Sequence, residues 1–185
     1  MILIEQILEW DKNAFLWLNS YHNFWLDKTM LFFSASKVWI PLYVLIIFLF
    51  FKNFNWQNAI KFILIIIASV ALSDFIASGI FKPYFQRLRP CHEILSEMIL
   101  VGKCGGQFGF ASSHAANSFA LFMSIFLIFR RQNLWIFLLL FWAIIVSYSR
   151  IYLGVHYPID ILVGGCIGIV ISLSIYKLFK LKTSL

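Results

Sequence analysis

The sequence predicts an all-α protein: a polytopic transmembrane helical bundle of about five spans, plus an N-terminal amphipathic helix at the membrane interface. Three observations carry that prediction. The 185 residues are 62% hydrophobic and only 12% charged, where a soluble domain is nearer half apolar and a quarter charged. Whole windows lack a polar face, which separates this chain from a soluble helical protein with a large core. The charges sit mostly at the ends of apolar segments, where membrane proteins keep them. The formal net charge of +7 comes without a hydrophilic basic run, so no nucleic-acid partner is expected. The expected partner is the lipid bilayer, and the length suits one domain.

Residues 1–21 read as the amphipathic helix. Leu3, Ile7, Trp10, Ala14 and Trp17 recur at helical spacing, with Glu5, Glu9, Lys12 and Asn13 elsewhere. Trp suits an interface, and the segment is expected to lie on the membrane surface. Glu5, Glu9 and Asp11 stand where a cleavable signal peptide carries positive charge, so none is expected. A second interfacial segment follows at 23–36, making 1–36 an interfacial region ahead of a transmembrane domain at 37–180.

The first span is VWIPLYVLIIFLFF at 38–51, short enough that the helix must begin earlier or the bilayer must thin. The second covers roughly 59–81, the third 113–129, the fourth 134–149 and the fifth 158–179. Polar turns separate most of them: KNFNWQN between the first two, RRQN between the third and fourth. Ser73 and Asp74 lie inside span two, where a polar group either serves function or bonds a neighbouring helix. Gly164, Gly165 and Gly168 surround Cys166 in span five, and small residues there let helices approach closely.

One connection differs. Residues 82–112 form a long polar link with Gly102, Gly105, Gly106 and Gly109, and links of this length usually carry function. Alternating spans put Lys52, Lys61, Arg130, Arg131, Lys177, Lys180 and Lys182 on one side. Lys12, Lys28, Lys37, Lys82, Arg87, Arg89, Lys103 and Arg150 fall on the other. If Lys82, Arg89 and Arg150 are kept for chemistry, the first side holds the excess. That favours a cytoplasmic C-terminus and an extracytoplasmic link. Cys91 and Cys104 flank this link; facing outward they are expected to form a disulfide that stiffens the loop beside Arg89, whereas free thiols go with a cytosolic face.

Three polar stretches end or open spans on that same side: KPYFQRLRP at 82–90, ASSH at 111–114 and SRIYLGVHYPID at 149–160. Lys82, Arg89 and Arg150 bring positive charge with no matching carboxylate cluster, and the arginine fork fits phosphate oxygens. Ser112 and the N–H groups after it stand where a helix begins, a natural anion site. His156 and Asp160 are one helical turn apart if span five starts at Pro158. Asp160 then holds one ring nitrogen and leaves the other free to attack. His114 is placed to protonate a departing oxygen. The same pair at helical spacing could instead ligate a metal, but the surrounding cations repel one, so no cofactor is expected.

Lys82-x6-Arg89-Pro90, Ser112-Ser113-His114 and Ser149-Arg150-x5-His156-x3-Asp160 resemble the three-part signature of the type 2 phosphatidic acid phosphatase (PAP2) family. These are integral membrane lipid phosphatases, related in core to vanadium haloperoxidases. The resemblance spans residues 38–178 and implies a set of roles. His156 is the nucleophile that forms a phosphohistidine, Asp160 orients it and His114 is the acid; Lys82, Arg89, Ser112, Ser113 and Arg150 bind phosphate. It implies a substrate among undecaprenyl diphosphate, phosphatidylglycerophosphate, phosphatidic acid and lipid A phosphates, no metal, and residence in a bacterial cytoplasmic (inner) membrane. Where the family usually has Pro-Ser-Gly-His, this chain has Ala111-Ser112-Ser113-His114. Ser113 keeps the backbone N–H, adds a side chain and disfavours positive φ. Arg87 is read as a substrate contact or a head-group anchor. His92 is read as a possible head-group contact, and His22 as interfacial. A lipid phosphotransferase using the same phosphohistidine and a non-catalytic lipid-binding or transport protein with a degenerate site are the competing readings.

Overall fold

The computed structural model describes residues 2–129 and 135–179. Two amphipathic helices come first, α1 (Ile2–Asn19) and α2 (Phe24–Ser34). Asn23 starts α2 by accepting the Leu26 N–H at 2.9 Å, as a helix N-cap does. A 3-10 turn at Ser36–Trp39 runs into α3 (Ile40–Asn53), with Pro41 in its first turn, where a missing N–H costs nothing. Asn55 caps α4 (Trp56–Asp74) through the Asn58 N–H at 2.9 Å. The helix continues through a π-helical stretch, Phe75–Phe81, into α5 (Lys82–Phe85), and ends where Gln86 turns left-handed. The link then holds α6 (Pro90–Glu93) and a 3-10 turn at Leu95–Glu97. Three long helices follow: α7 (Ser113–Phe129), α8 (Ile136–Tyr152) and α9 (Pro158–Leu178).

Among the described residues, three helical stretches are long and apolar enough to cross a membrane: Ser36–Asn53, Trp56–Phe85 and Pro158–Leu178. The first extends the short apolar run upstream, as its length required. α7 and α8 are apolar but 17 residues each, about 26 Å at ~1.5 Å per residue, a little under the ~30 Å hydrocarbon core. The expected start of span four at residue 134, the RRQN turn, and the cations Arg130, Arg131, Lys180 and Lys182 lie outside the described residues.

α7 is the central helix, packed on α4, α8 and α9. Its tightest neighbour is α9. A Cβ added at Gly164 would meet the Ser112 carbonyl oxygen at 2.4 Å, and one at Gly168 the Ala116 oxygen at 2.2 Å. Only hydrogen fits there, so the two backbones touch. At the far end from the link, Phe50, Phe54, Phe62 and Phe129 interlock with ring centroids 4.9–6.3 Å apart, where much of the unusual Phe content goes.

The orientation of α1 differs from its simple amphipathic reading. Leu3, Ile7, Trp10, Ala14 and Trp17, the stripe picked out by spacing, are all exposed. The buried stripe is Asp11, Phe15 and Asn19. Asn19 accepts the Ile99 N–H at 2.8 Å and donates to the carbonyls of Ile99 at 3.0 Å and Tyr152 at 2.9 Å. Phe15 packs edge-on against Tyr157. The predicted apolar stripe is therefore exposed, together with Glu5, Glu9 and Asn13, and the contact with the rest of the protein is made by Asp11, Phe15 and Asn19.

Candidate active site

The α7–α9 contact fixes the site. The Ser112 N–H donates to the Asp160 carbonyl at 3.0 Å, so the N-terminus of α7 sits beside the first turn of α9. His114 and His156 thus occupy the same end of the bundle, and His114 lies within electrostatic reach of His156, Arg150 and Lys82. Lys82 arrives from the start of α5 and donates to the Ser113 hydroxyl at 3.0 Å. The wide π-helical turns before it carry Ser78, whose hydroxyl also meets that of Ser113, at 2.5 Å; such turns often mark sites. Ser113 is the first residue of α7, and Gln86 is the only non-glycine with positive φ among the described residues. The Ser in place of Gly is therefore accommodated, and its hydroxyl serves as the rest for Lys82.

Arg150 reaches the site from the last turn of α8 and donates to the Ser34 hydroxyl at the end of α2. Its Nε is buried and unpartnered, and so is the Ser112 hydroxyl. Arg89 is held by two loop carbonyls, Phe108 at 3.1 Å and Cys104 at 3.0 Å. The arrangement is a cationic cup with hydrogen-bonding capacity left over, which an oxyanion can satisfy.

His156 is 2% exposed and Asp160 fully buried. The His156 Nδ1 faces the Asp160 Oδ2 at 3.3 Å, and the same oxygen accepts the Tyr157 N–H at 3.0 Å. An Nδ1–H donated to Asp160 leaves the lone pair on Nε2. Burial, and then the positive charges of Arg89, Arg150 and Lys82, hold His156 well below the ordinary imidazole value. The ring is therefore neutral and available at neutral pH.

Arg87 points away from the cup. Its guanidinium donates to the Asp160 Oδ1 at 3.0 Å and to the Asp11 Oδ2 at 2.6 Å, and lies over the Tyr157 ring at 4.2 Å. Each of its outer nitrogens donates to a carboxylate, so the contacts it makes in this structure are to carboxylates. Asp11 is the residue that sequence reasoning missed. It counted as a charge arguing against a signal peptide, and no spacing ties it to residues so distant. The signal that was there is an acid at a four-residue step from Phe15 and Asn19.

The link closes over the pair as an antiparallel clip. Arg89 N–H donates to Gln107 at 3.1 Å and Gly109 N–H to Arg87 at 2.9 Å. A Cβ at Gly109 would lie 3.0 Å from the Asp160 Oδ2 and 3.5 Å from the His156 Nδ1. Cys91 and Cys104 are joined in a disulfide with Cα atoms 5.8 Å apart. His92 is exposed beside that bridge at the rim. His22 pairs with Asp27 at 3.0 Å and stacks on Tyr152. Asp74 accepts from Asn117 on α7 at 2.9 Å, and Ser73 donates to its own helix at Ser69.

Below the cup lies a cavity of about 620 Å³. Ser113, His114, Asn117 and Asp74 form its polar end, and Tyr43, Ile47, Ile66, Val70, Leu121 and Val146 are among its apolar walls. Its lining is mostly apolar. A cationic cup, two imidazoles and an apolar hollow opening onto them define a membrane enzyme of phosphorylated lipids.

Residues 59–184 match the PAP2 superfamily. The chain is 35% identical over 170 residues to the lipid A 4'-phosphatase of Bacteroides thetaiotaomicron, a match covering 90% of this chain and 75% of that protein. It is 32% identical over 181 residues to the lipid A 4'-phosphatase of Porphyromonas gingivalis, covering 95% and 75%. Among solved structures it resembles LpxE of Aquifex aeolicus, with a TM-score of 0.67 and 27% identity over 89% of this chain and 93% of that one. The first transmembrane PAP2 type phosphatidylglycerolphosphate phosphatase from Bacillus subtilis shares the fold, with a TM-score of 0.70 at 19% identity, covering 95% and 87%. The chain belongs to the PAP2 superfamily, as a membrane lipid phosphatase.

Proposed function

We propose that this enzyme removes a phosphate from a lipid A-type glycolipid by double displacement through a phosphohistidine on His156, without a metal. His156 Nε2 attacks phosphorus in line, and His114 gives a proton to the departing lipid oxygen. The phosphate's own negative charge beside His114 favours the protonated ring that this step needs. His114 then takes a proton from water, which attacks the phosphohistidine and releases inorganic phosphate. Lys82, Arg89, Arg150 and the N–H groups opening α7 stabilise the equatorial oxygens, the charge work that metals do elsewhere.

The observation that carries this reading is the 3.3 Å contact of His156 Nδ1 with a buried Asp160, inside a ring of cations that includes the unpartnered Arg150 Nε. The choice of substrate is supported by the two relatives that are lipid A 4'-phosphatases. The apolar cavity below His114 offers room for an acyl chain while the phosphate sits in the cup. The Cys91–Cys104 bridge supports a site on the extracytoplasmic face of the inner membrane, since disulfides persist in oxidising compartments.

Purified enzyme in detergent with a chelator is offered lipid A, undecaprenyl diphosphate, phosphatidylglycerophosphate and phosphatidic acid, and released phosphate is measured. Release from lipid A with no acceptor lipid is expected, which separates hydrolysis from phosphotransfer. His156→Asn should fold normally and lose at least about 10³-fold in kcat. Near-normal turnover in that variant ends the reading.

A further inference from the structure

We propose that Asp11, on the N-terminal helix α1, is a positioning residue for phosphoryl transfer. It holds Arg87 against one oxygen of Asp160, and so keeps the other oxygen, and the carboxylate's negative charge, for His156. This inference rests on the phosphohistidine reading above. Asp11 lies ahead of the segment that matches the PAP2 superfamily, and no part of the three-stretch signature includes it.

The geometry is a relay of bonds. The Asp11 Oδ2 meets Arg87 at 2.6 Å, Arg87 meets the Asp160 Oδ1 at 3.0 Å, and the Asp160 Oδ2 faces the His156 Nδ1 at 3.3 Å. Both carboxylate side chains are fully buried, and the Arg87 side chain is 18% exposed. The second oxygen of Asp11 accepts the Ile159 N–H at 2.9 Å. Ile159 is the second residue of α9, so its N–H is one that the helix itself cannot satisfy. The residue ahead of the helix, Tyr157, makes no side-chain cap. One side chain on α1 therefore caps the helix that carries Asp160 and also anchors the arginine that braces it.

The charge balance shows why an acid is needed. A partly buried arginine paired with Asp160 alone makes a neutral couple, a weak counter-charge for the imidazole. With Asp11 the trio carries a net negative charge. When Nε2 bonds to phosphorus while Nδ1 keeps its proton, the ring becomes positive, and that charge faces Asp160. The other charged or titratable groups around His156 are Lys82 from α5, Arg89 from the link, Arg150 from α8 and His114 from α7. Arg89 and Lys82 also lie within electrostatic reach of Asp160, and a substrate phosphate would bring further negative charge to these cations. Asp11 thus acts where ring charge develops, and its loss belongs in kcat more than in KM.

The test is phosphate release from lipid A in detergent micelles, across pH, for Asp11→Asn, Asp11→Glu, Arg87→Met and the Asp11→Asn/Arg87→Met double variant. Folding of each is checked by thermal unfolding. Asp11→Asn should lower kcat roughly 10- to 100-fold, the size seen for partners one bond removed from a reacting ligand, with KM within about twofold. Asp11→Glu should recover most of that, and the double variant should be no slower than Arg87→Met. The acidic limb of kcat/KM should move to lower pH in Asp11→Asn, because a negative charge has left the surroundings of His156. A brace with no electrostatic role leaves that limb in place. Unchanged kcat, additive losses or a fixed limb overturns the proposal and leaves the phosphohistidine reading standing. Should Asp11→Asn fail to fold, a folded Arg87→Met decides: a lowered kcat supports the proposal and a wild-type kcat overturns it. A wild-type enzyme inactive on every lipid phosphate overturns both.

Discussion

His156 sits among cations that a histidine ordinarily avoids, and this sets its pH response. Burial first, then Arg89, Arg150 and Lys82, push its pKa down, so the neutral form survives into acid. The acidic limb of kcat/KM, which reports the free enzyme, should fall well below the ordinary imidazole value of ~6.5. A pH–rate series in detergent checks this; a limb at or above that value contradicts the assignment of His156 as the free-enzyme base. The same shift acts on stability with a definite sign. The unfolded chain takes up the proton first, so this contribution is complete above about 6.5 and is lost as pH falls from there toward the folded value.

Among elements, the α7–α9 pair matters most, because its close backbone contact aligns Ser112, His114, His156 and Asp160. Gly168→Val puts carbon where only 2.2 Å separates a Cβ from the Ala116 oxygen, so the helices must part. Overpacking of this kind costs about 1–3 kcal/mol. Activity should fall more steeply than stability does, since a displacement of ~1 Å in a catalytic group can cost about 10²-fold. Measuring Tm and kcat on the same preparation tests this; a lowered Tm with wild-type kcat shows that the contact serves stability only. The helices α1 and α2 matter in a different way. Asn19 ties the link to the end of α8, and Ser34 receives Arg150, so both N-terminal helices brace the cup.

Across the whole molecule, the cup depends on a loop that carries no long helix of its own. The Cys91–Cys104 bridge closes a loop of roughly 15 residues, worth about 3 kcal/mol in a chain-entropy account. The bridge also holds the Cys104 carbonyl that receives Arg89. Reduction, or a Cys91→Ser/Cys104→Ser variant, should lower the Tm and reduce kcat/KM several-fold, with activity returning when the native pair is reoxidised. Equal activity and Tm in reduced and oxidised protein shows that the bridge does not hold the site.

The helical bundle and most of the cup were legible in the chain order alone. Apolar runs of helical length declare themselves against a lipid solvent, and alternation of spans carries three polar stretches to one end. The step of four between His156 and Asp160 is a local property, because one helical turn brings them together whatever surrounds them. The direction that Arg87 takes, the burial of Asp11 and the outward face of α1 were decided only by the folded molecule. An arginine at the rim can serve phosphate or carboxylate equally well, and nothing local distinguishes the two. The choice belongs to a partner 76 residues away that packing alone delivers. The spacing of α1 marks its apolar stripe but not which residues meet the protein, and packing gave that place to Asp11, Phe15 and Asn19 because each finds a partner there.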